Sequence, residues 1–221
     1  QTTPDPYLWL EDIDSTRSLD WVQAQNLKTE DRLARSDSFQ QVKADVLEML
    51  DSDSNIPHVN KVGAYYYNFW MDAAHPRGLW RRTTPAEYRK AQPAWETLLD
   101  LDALNAAEGE NWVWHGADYL RPYDQRCLVE LARGGADAGV TREFDLASKT
   151  GVEDGFQLPE SKGGLGWIDR DNVYVFTDFG EGSMTRSGYP RIAKQWQRGT
   201  PLSAARVVYE GAPDDMYIAA M

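Results

Sequence analysis

Three times between residues 79 and 210 the chain repeats one pattern: an exposed-looking strand with a bulky aromatic beside Arg or Lys, a turn, and a short apolar strand. The copies are Leu79-Trp80-Arg81-Arg82 leading to Thr97-Leu98-Leu99-Asp100, Arg142-Glu143-Phe144-Asp145-Leu146 leading to Gly155-Phe156-Gln157-Leu158, and Lys194-Gln195-Trp196-Gln197 leading to Val207-Val208-Tyr209-Glu210. The anchors Trp80, Phe144 and Trp196 stand about 64 and 52 residues apart. Each copy is followed by a strand opening with an aromatic, at Trp112, Trp167 and Tyr217, about 55 and 50 residues apart. A period near 50 residues with about four strands per unit is what a β-propeller blade looks like in sequence. The pattern alone also admits a chance array of hairpins in another all-β fold. Three units do not close a ring, since propellers have at least about four blades. Met221 falls just inside the strand expected to open a further blade, so a C-terminal part is expected after it.

The strands predicted from runs of Tyr, Trp, Val and Phe between Gly, Pro and Asp clusters are 62–70, 79–83, 96–99, 112–120, 126–132, 142–146, 165–168, 173–178, 191–197, 206–210 and 217–220. Helix precedes them. Asp14 or Ser15 reads as an N-cap ahead of a partial apolar stripe of Leu19, Val22 and Leu27. Ser38 reads as the cap of a second helix, where Phe39, Val42, Val46 and Met49/Leu50 recur at three- and four-residue spacing and share a face. That face needs a surface to pack against. The change from helix to strand falls at Asp51-Ser52-Asp53-Ser54 and Pro57.

Hydrophobic residues make up 42% of the chain, with nine Trp and eleven Tyr, which separates it from disordered compositions. A net charge of -12 repels phosphate backbones and anionic lipid heads, so neither nucleic acid nor membrane is an expected partner. Charges of both signs are interspersed, as in Asp169-Arg170-Asp171, which reads as a solvated surface of a soluble protein. The single Cys127 lies in the apolar run Cys127-Leu128-Val129-Glu130-Leu131 and reads as a core residue; one cysteine leaves the compartment open between cytoplasm and periplasm. The first residue is Gln1, so removal of a leader, tag or signal peptide is an expectation.

Chemistry-bearing groups are sparse. The nearest approach to the Gly-x-Ser-x-Gly nucleophile turn is Gly180-Glu181-Gly182-Ser183-Met184-Thr185, which puts Thr185 where the second glycine is required, and it reads as a hairpin loop. His58 and His75 flank prolines and His115 ends the run Trp112-Val113-Trp114, so none reads as a catalytic base. One Cys and three scattered His give no metal-ligand spacing. Asp214-Asp215 and Glu11-Asp12 read as surface or turn carboxylates, and Lys162-Gly163-Gly164-Leu165-Gly166 as a hairpin turn rather than a phosphate loop. No catalytic, cofactor-binding or metal-binding residue is therefore assigned. The aromatics can build a ligand platform, but Trp80, Trp112, Trp167 and Trp196 read first as blade-to-blade packing.

The opening Asp5-Pro6-Tyr7-Leu8-Trp9-Leu10-Glu11-Asp12, followed by Trp21-Val22-Gln23-Ala24-Gln25-Asn26, resembles the N-terminal signature of the prolyl oligopeptidase family of serine peptidases. The resemblance continues in Lys61 to Arg82 and in Arg142 to Leu146, and Thr177-Asp178-Phe179-Gly180 through Ser187-Gly188-Tyr189-Pro190-Arg191 is similar to its bacterial branch. It implies a seven-bladed propeller inserted near the start of an α/β-hydrolase domain, with the Ser, Asp and His of the triad beyond the propeller. Residues 1–55 would then be a helical segment that packs on the hydrolase domain, and 56–221 a partial propeller of about three four-stranded antiparallel blades. The implied parent activity is acyl-enzyme hydrolysis of short proline-containing peptides, the propeller gating access. In the family some propeller residues contact substrate; no motif here carries them over.

A stand-alone propeller-like module that binds peptide or glycan through its aromatics is the competing reading. An incomplete ring exposes edge strands, so self-association through Tyr217 to Ala220 is also expected. Without a nucleophile, the 221-residue chain will neither label with a fluorophosphonate probe nor hydrolyse a Gly-Pro amide. Stoichiometric labelling of any serine would overturn that assignment.

Overall fold

A computed structural model describes residues 5–52, 54–122 and 125–221; Asp53, in the predicted helix-to-strand change, lies outside them. The chain divides into two compact units, Gln1–Ser54 and Asn55–Met221.

In the first unit, the opening motif folds back on itself. Asp5 accepts the Tyr7 N–H (2.8 Å), the Trp9 indole donates to the Pro6 carbonyl (3.0 Å), and Trp9 meets Trp21 edge-on at 6.1 Å. Arg17 covers Trp9 at 4.0 Å. Helix α1 (Thr16–Thr29) is capped by Ser15, whose hydroxyl accepts the Ser18 N–H. It runs through a π-turn (Glu30–Ala34) before α2 (Asp37–Leu50). The cap of α2 is Ser36, two residues before the predicted Ser38: Ser36 has the extended backbone a cap requires, and its hydroxyl accepts the Phe39 N–H at 3.3 Å. Phe39, Val42, Val46, Met49 and Leu50 all remain exposed.

The second unit is three antiparallel sheets laid down in chain order. The first holds β1 (Asn60–Val62), β2 (Tyr65–Trp70), β3 (Leu79–Thr83) and β4 (Glu96–Asp100), with a helical turn α3 (Pro85–Tyr88) between the last two. The predicted strand 62–70 is thus a hairpin, broken where Gly63 takes φ 55°, a left-handed conformation cheap only for glycine. Helix α4 (Leu101–Glu108), capped by Asp100 and ended by left-handed Gly109, leads to the second sheet. That sheet holds β5 (Trp112–Tyr119), β6 (Arg126–Arg133), β7 (Gly139–Asp145), β8 (Thr150–Gly151) and β9 (Gln157–Ser161), the last two both pairing with β7. The third holds β10 (Gly164–Trp167), β11 (Asn172–Phe176), β12 (Ile192–Gln197) and β13 (Arg206–Glu210).

The anchors Trp80, Phe144 and Trp196 each fall on the third principal strand of their sheet, and the apolar strands after them are β4, β9 and β13. Two expectations need correction. The anchor strands are not exposed: Trp80 is only 2% accessible, because it faces the next sheet. Tyr217–Ala220 forms no strand; the Ile218 N–H donates to Pro190, and the backbone at Ala220 lies so close to β10 that a Cβ on Gly166 would sit 2.6 Å from the Ala220 carbonyl oxygen. The exposed edge is β13 instead, where Val207, Val208 and Tyr209 are open.

Strand β6 explains how the sheets adhere. Cys127, Val129 and Leu131 enter a core shared with Val62, Tyr67, Trp80 and Leu98 of the first sheet, while Leu128 enters a second core with Leu165, Val173 and Val175 of the third. A strand buried on both faces reads as a continuous apolar run, as this one does. Trp80 lies 5.0 Å from Trp114 and 5.5 Å from Phe144 across the first interface; Phe156 lies 5.3 Å from Trp196 across the second. Trp80→Ala is expected to cost about 3–5 kcal/mol. Half-buried Trp196→Ala should cost less, and urea unfolding followed by far-ultraviolet circular dichroism checks the order.

Candidate functional site

The groups weighed in sequence do not converge. Ser183 is buried, but its hydroxyl lies 2.6 Å from the Gly180 carbonyl and 3.0 Å from Asp178 while accepting the Phe179 N–H, so it braces the loop it sits in. His75 pairs with Asp72 (3.0 Å), His115 lies 3.8 Å from Glu130, and among the described residues no histidine is hydrogen-bonded to Ser183. Asp214 pairs with exposed Arg186, and Asp215 caps the Ala212 N–H. Lys162 opens the β9–β10 turn; a Cβ on Gly163 would lie 2.0 Å from the Phe176 carbonyl oxygen. Among the described residues no three His, Cys, Asp or Glu side chains group to hold a metal. Burial pushes the Cys127 thiol far up, which keeps it protonated and inert.

The ionisable group that sequence reasoning passed over is Glu143, whose side chain is wholly inaccessible. Arg198, after β12, donates to both of its oxygens (2.8 and 3.1 Å), Arg126 of β6 to one (2.9 Å), and the Phe156 N–H to the other (2.9 Å). Burial alone would raise its pKa, but Arg198, the Phe156 amide and Arg126 together hold it below the usual carboxylate range. Two guanidinium groups fix it as an anion, so it joins the second and third sheets rather than exchanging protons. Only its place beside anchor Phe144 marked it in the sequence.

One place has the shape of a binding site. In β5, register slips between Trp114 and Gly116, leaving His115 as an extra, exposed residue and Gly116 at φ 144°. A bulge switches which side chains face inward, so Trp114 before it and Ala117 and Tyr119 after it all line the first core. With no side chain at Gly116, a pocket of about 350 Å³ opens over Tyr67, Phe69, Trp80, Trp114 and Tyr119. Burial pushes the Tyr119 phenol well above its ordinary range. A cation–aromatic cluster lies on the other face of the first sheet. There the Arg81 guanidinium carbon lies 4.4 Å from the Trp70 ring centre and 4.3 Å from that of Trp95, and its Nε donates to Asn68 (2.8 Å). Burial lowers its pKa to about 10. Tyr88 meets Trp95 edge-on at 6.2 Å and so buttresses the stack.

The whole chain, residues 1–221, matches the family model for the prolyl oligopeptidase N-terminal beta-propeller domain. It is 41% identical over 214 residues to an uncharacterized peptidase of Sinorhizobium fredii, covering 96% of this chain and 29% of that protein. Among solved structures, it is similar to a post-proline cleaving enzyme from Rickettsia typhi, with 30% identity and a TM-score of 0.87 over 95% of this chain and 31% of that one. Oligopeptidase B from Leishmania major shares the fold at 14% identity and a TM-score of 0.67, over 94% of this chain and 28% of its own. The chain spans less than a third of the length of these proteins.

Glu143→Gln leaves two arginines facing a neutral amide and is expected to cost about 3–5 kcal/mol. Because the folded pKa is depressed, the contribution of Glu143 is complete above the unfolded glutamate value, about 4.3, and is lost as pH falls through the folded value. Urea midpoints of the parent should therefore fall on acidification below about pH 4.3 more steeply than those of Glu143→Gln.

Proposed function

The chain belongs to the prolyl oligopeptidase family as its N-terminal β-propeller domain, and from that premise we propose that it serves a peptidase of short, proline-containing peptides by limiting access to the catalytic centre. The observation that carries this reading is the likeness to the post-proline cleaving enzyme from Rickettsia typhi along nearly the whole chain. A rigid wall is the physical requirement of such a filter. Sheets locked through Trp80, β6 and Glu143 supply one, since opening an interface would expose stacked aromatics or strand a buried charge. The reaction itself would belong to an α/β-hydrolase domain, through a serine activated by histidine and a backbone oxyanion site.

On this reading the Gln1–Ser54 helices dock on the hydrolase domain. Their support is the exposed stripe Phe39, Val42 and Val46, an apolar surface with the spacing of a packed helix face. The aromatic pocket beside Gly116 supports the alternative of a peptide- or glycan-binding module, and the two readings part on hydrolysis.

A protein that continues this chain to the length of its relatives is expected to cleave a Gly-Pro amide and peptides of about ten residues while sparing casein. Val46→Lys should lower that activity with the circular dichroism spectrum unchanged. Cleavage of casein at the same rate as the short peptides would refute the filter, and a protein of that length with no hydrolysis would favour the binding module.

A further inference from the structure

The space beside Gly116 is larger than packing leaves. Folded cores hold few voids bigger than a water molecule, whereas the cavity between the first and second sheets measures about 350 Å³, lined by Tyr67, Phe69, Trp80, Trp114 and Tyr119. Those rings brace one another: Trp114 lies 5.4 Å from Phe69 in a parallel stack and 5.0 Å from Trp80, and Tyr119 lies 5.0 Å from Tyr67. The shape is therefore preformed. Both walls belong to this chain, β2 and β3 on one side and β5 on the other, so sheets added beyond the first or the third leave the cavity as it is. Its rim is polar. His58 and Asn60 are exposed there, and the Asn68 amide donates to the His58 carbonyl (2.8 Å), which ties the rim to the first sheet.

Size and charge select the occupant. A volume of about 350 Å³ lies at the small end of ligand pockets and suits one or two residues of a peptide. A cation is disfavoured, because Arg82 already lies 3.4 Å from the Tyr67 hydroxyl and covers Tyr65 at 4.4 Å. An anion would leave water for a wall of rings while Arg82 is taken by Glu96 (2.6 Å). A small neutral ring meets neither penalty. We propose that this cavity binds the pyrrolidine ring of proline in a short peptide. Proline packs a rigid apolar ring against the aromatic walls and has no N–H to strand among them. The backbone on either side of it can reach Asn60 and the edges of β1 and β5, each of which has one strand neighbour in its sheet. The choice of proline rests on the peptidase reading above; the fit of a small neutral ring rests on the cavity alone.

The test follows the Trp80 and Trp114 indole N–H resonances of the 15N-labelled chain during titration with N-acetyl-Gly-Pro amide, its Ala and Phe counterparts, tetramethylammonium and maltose. The Pro peptide should give saturable shifts at both indoles, and the Ala peptide, which lacks the outer ring methylenes, should bind about tenfold more weakly or worse. Ala117→Leu puts a larger side chain into the cavity and should abolish the shifts, whereas Ala117→Ser, nearly the same size, should keep them. Trp114→Leu removes one wall and should weaken the Pro peptide about tenfold, read at Trp80. Retained dispersion of the remaining indole signals shows that a variant is folded; should Ala117→Leu lose it, the ligand series and Trp114→Leu decide. Absence of saturation, equal binding of the Pro and Ala peptides, undiminished binding by folded Ala117→Leu, or tighter binding of the Phe peptide, tetramethylammonium or maltose than of the Pro peptide would overturn the assignment. Because no step involves hydrolysis, failure here is distinct from failure of the peptidase reading.

Discussion

A four-stranded sheet with apolar side chains on both faces has no stable existence alone, and the Asn55–Met221 unit is organised around that constraint. Strand β6 states it most plainly: alternate residues enter two different cores, so the second sheet is held only while the first and third are present. The bulky rings crossing the interfaces follow from the same geometry. Flat strands stack only if the space between them is filled, and Trp80, Trp114 and Phe144 fill one gap as Phe156, Trp167 and Trp196 fill the other.

Charge then sets which sheet sits where. The apolar cores alone would tolerate sliding, because hydrophobic contact is non-directional. Glu143 removes that freedom, since its oxygens are satisfied only when Arg198 of the third sheet meets it beside Arg126 of its own sheet in one arrangement. Glu96 does the same at the first interface, with Arg82 of its own sheet and Lys149 of the next at 2.6 and 2.8 Å. The buried Glu143 pairs are better understood as register devices than as sources of net stability, because desolvation offsets most of their attraction, while the Glu96–Lys149 pair is exposed and solvent-screened.

What the residues revealed in advance was whatever depends on period and composition. The anchors Trp80, Phe144 and Trp196 recur because each unit places a ring on its third principal strand that packs against a ring of a neighbouring sheet, so the repeat was visible without any side-chain geometry. Features that depend on one residue's backbone were hidden. Gly63 turned a predicted strand into a hairpin, Ser36 displaced Ser38 as a cap by taking the extended conformation, and α4 hid in a stretch that read as a connector. Tyr217 illustrates the limit of the repeat itself: an aromatic at the right spacing marks a strand only where a partner strand pairs with it. Glu143 and the Arg81 stack were illegible for a further reason. Both are made by residues distant in the chain, and composition counts such charges as surface.

The outward faces of the first and third sheets differ in a way that bears on where recognition can occur. Beyond the third sheet, Val208 and Tyr209 line an open groove of about 800 Å³ together with residues 217–221, a surface made mainly of apolar side chains. Beyond the first sheet, α3 and the Trp95 segment fold back, so that Tyr66, Tyr88, Trp70 and Trp95 are already half-buried against one another and against Arg81. Apolar surface left open favours another sheet. The β5 bulge follows a similar rule on the other face of that sheet: a repeat optimised for packing has no reason to insert His115 and drop a side chain at Gly116, and the result is a cavity over five aromatic rings. The cavity thus sits where β5 departs from regular pairing, at the junction of the first sheet with the second.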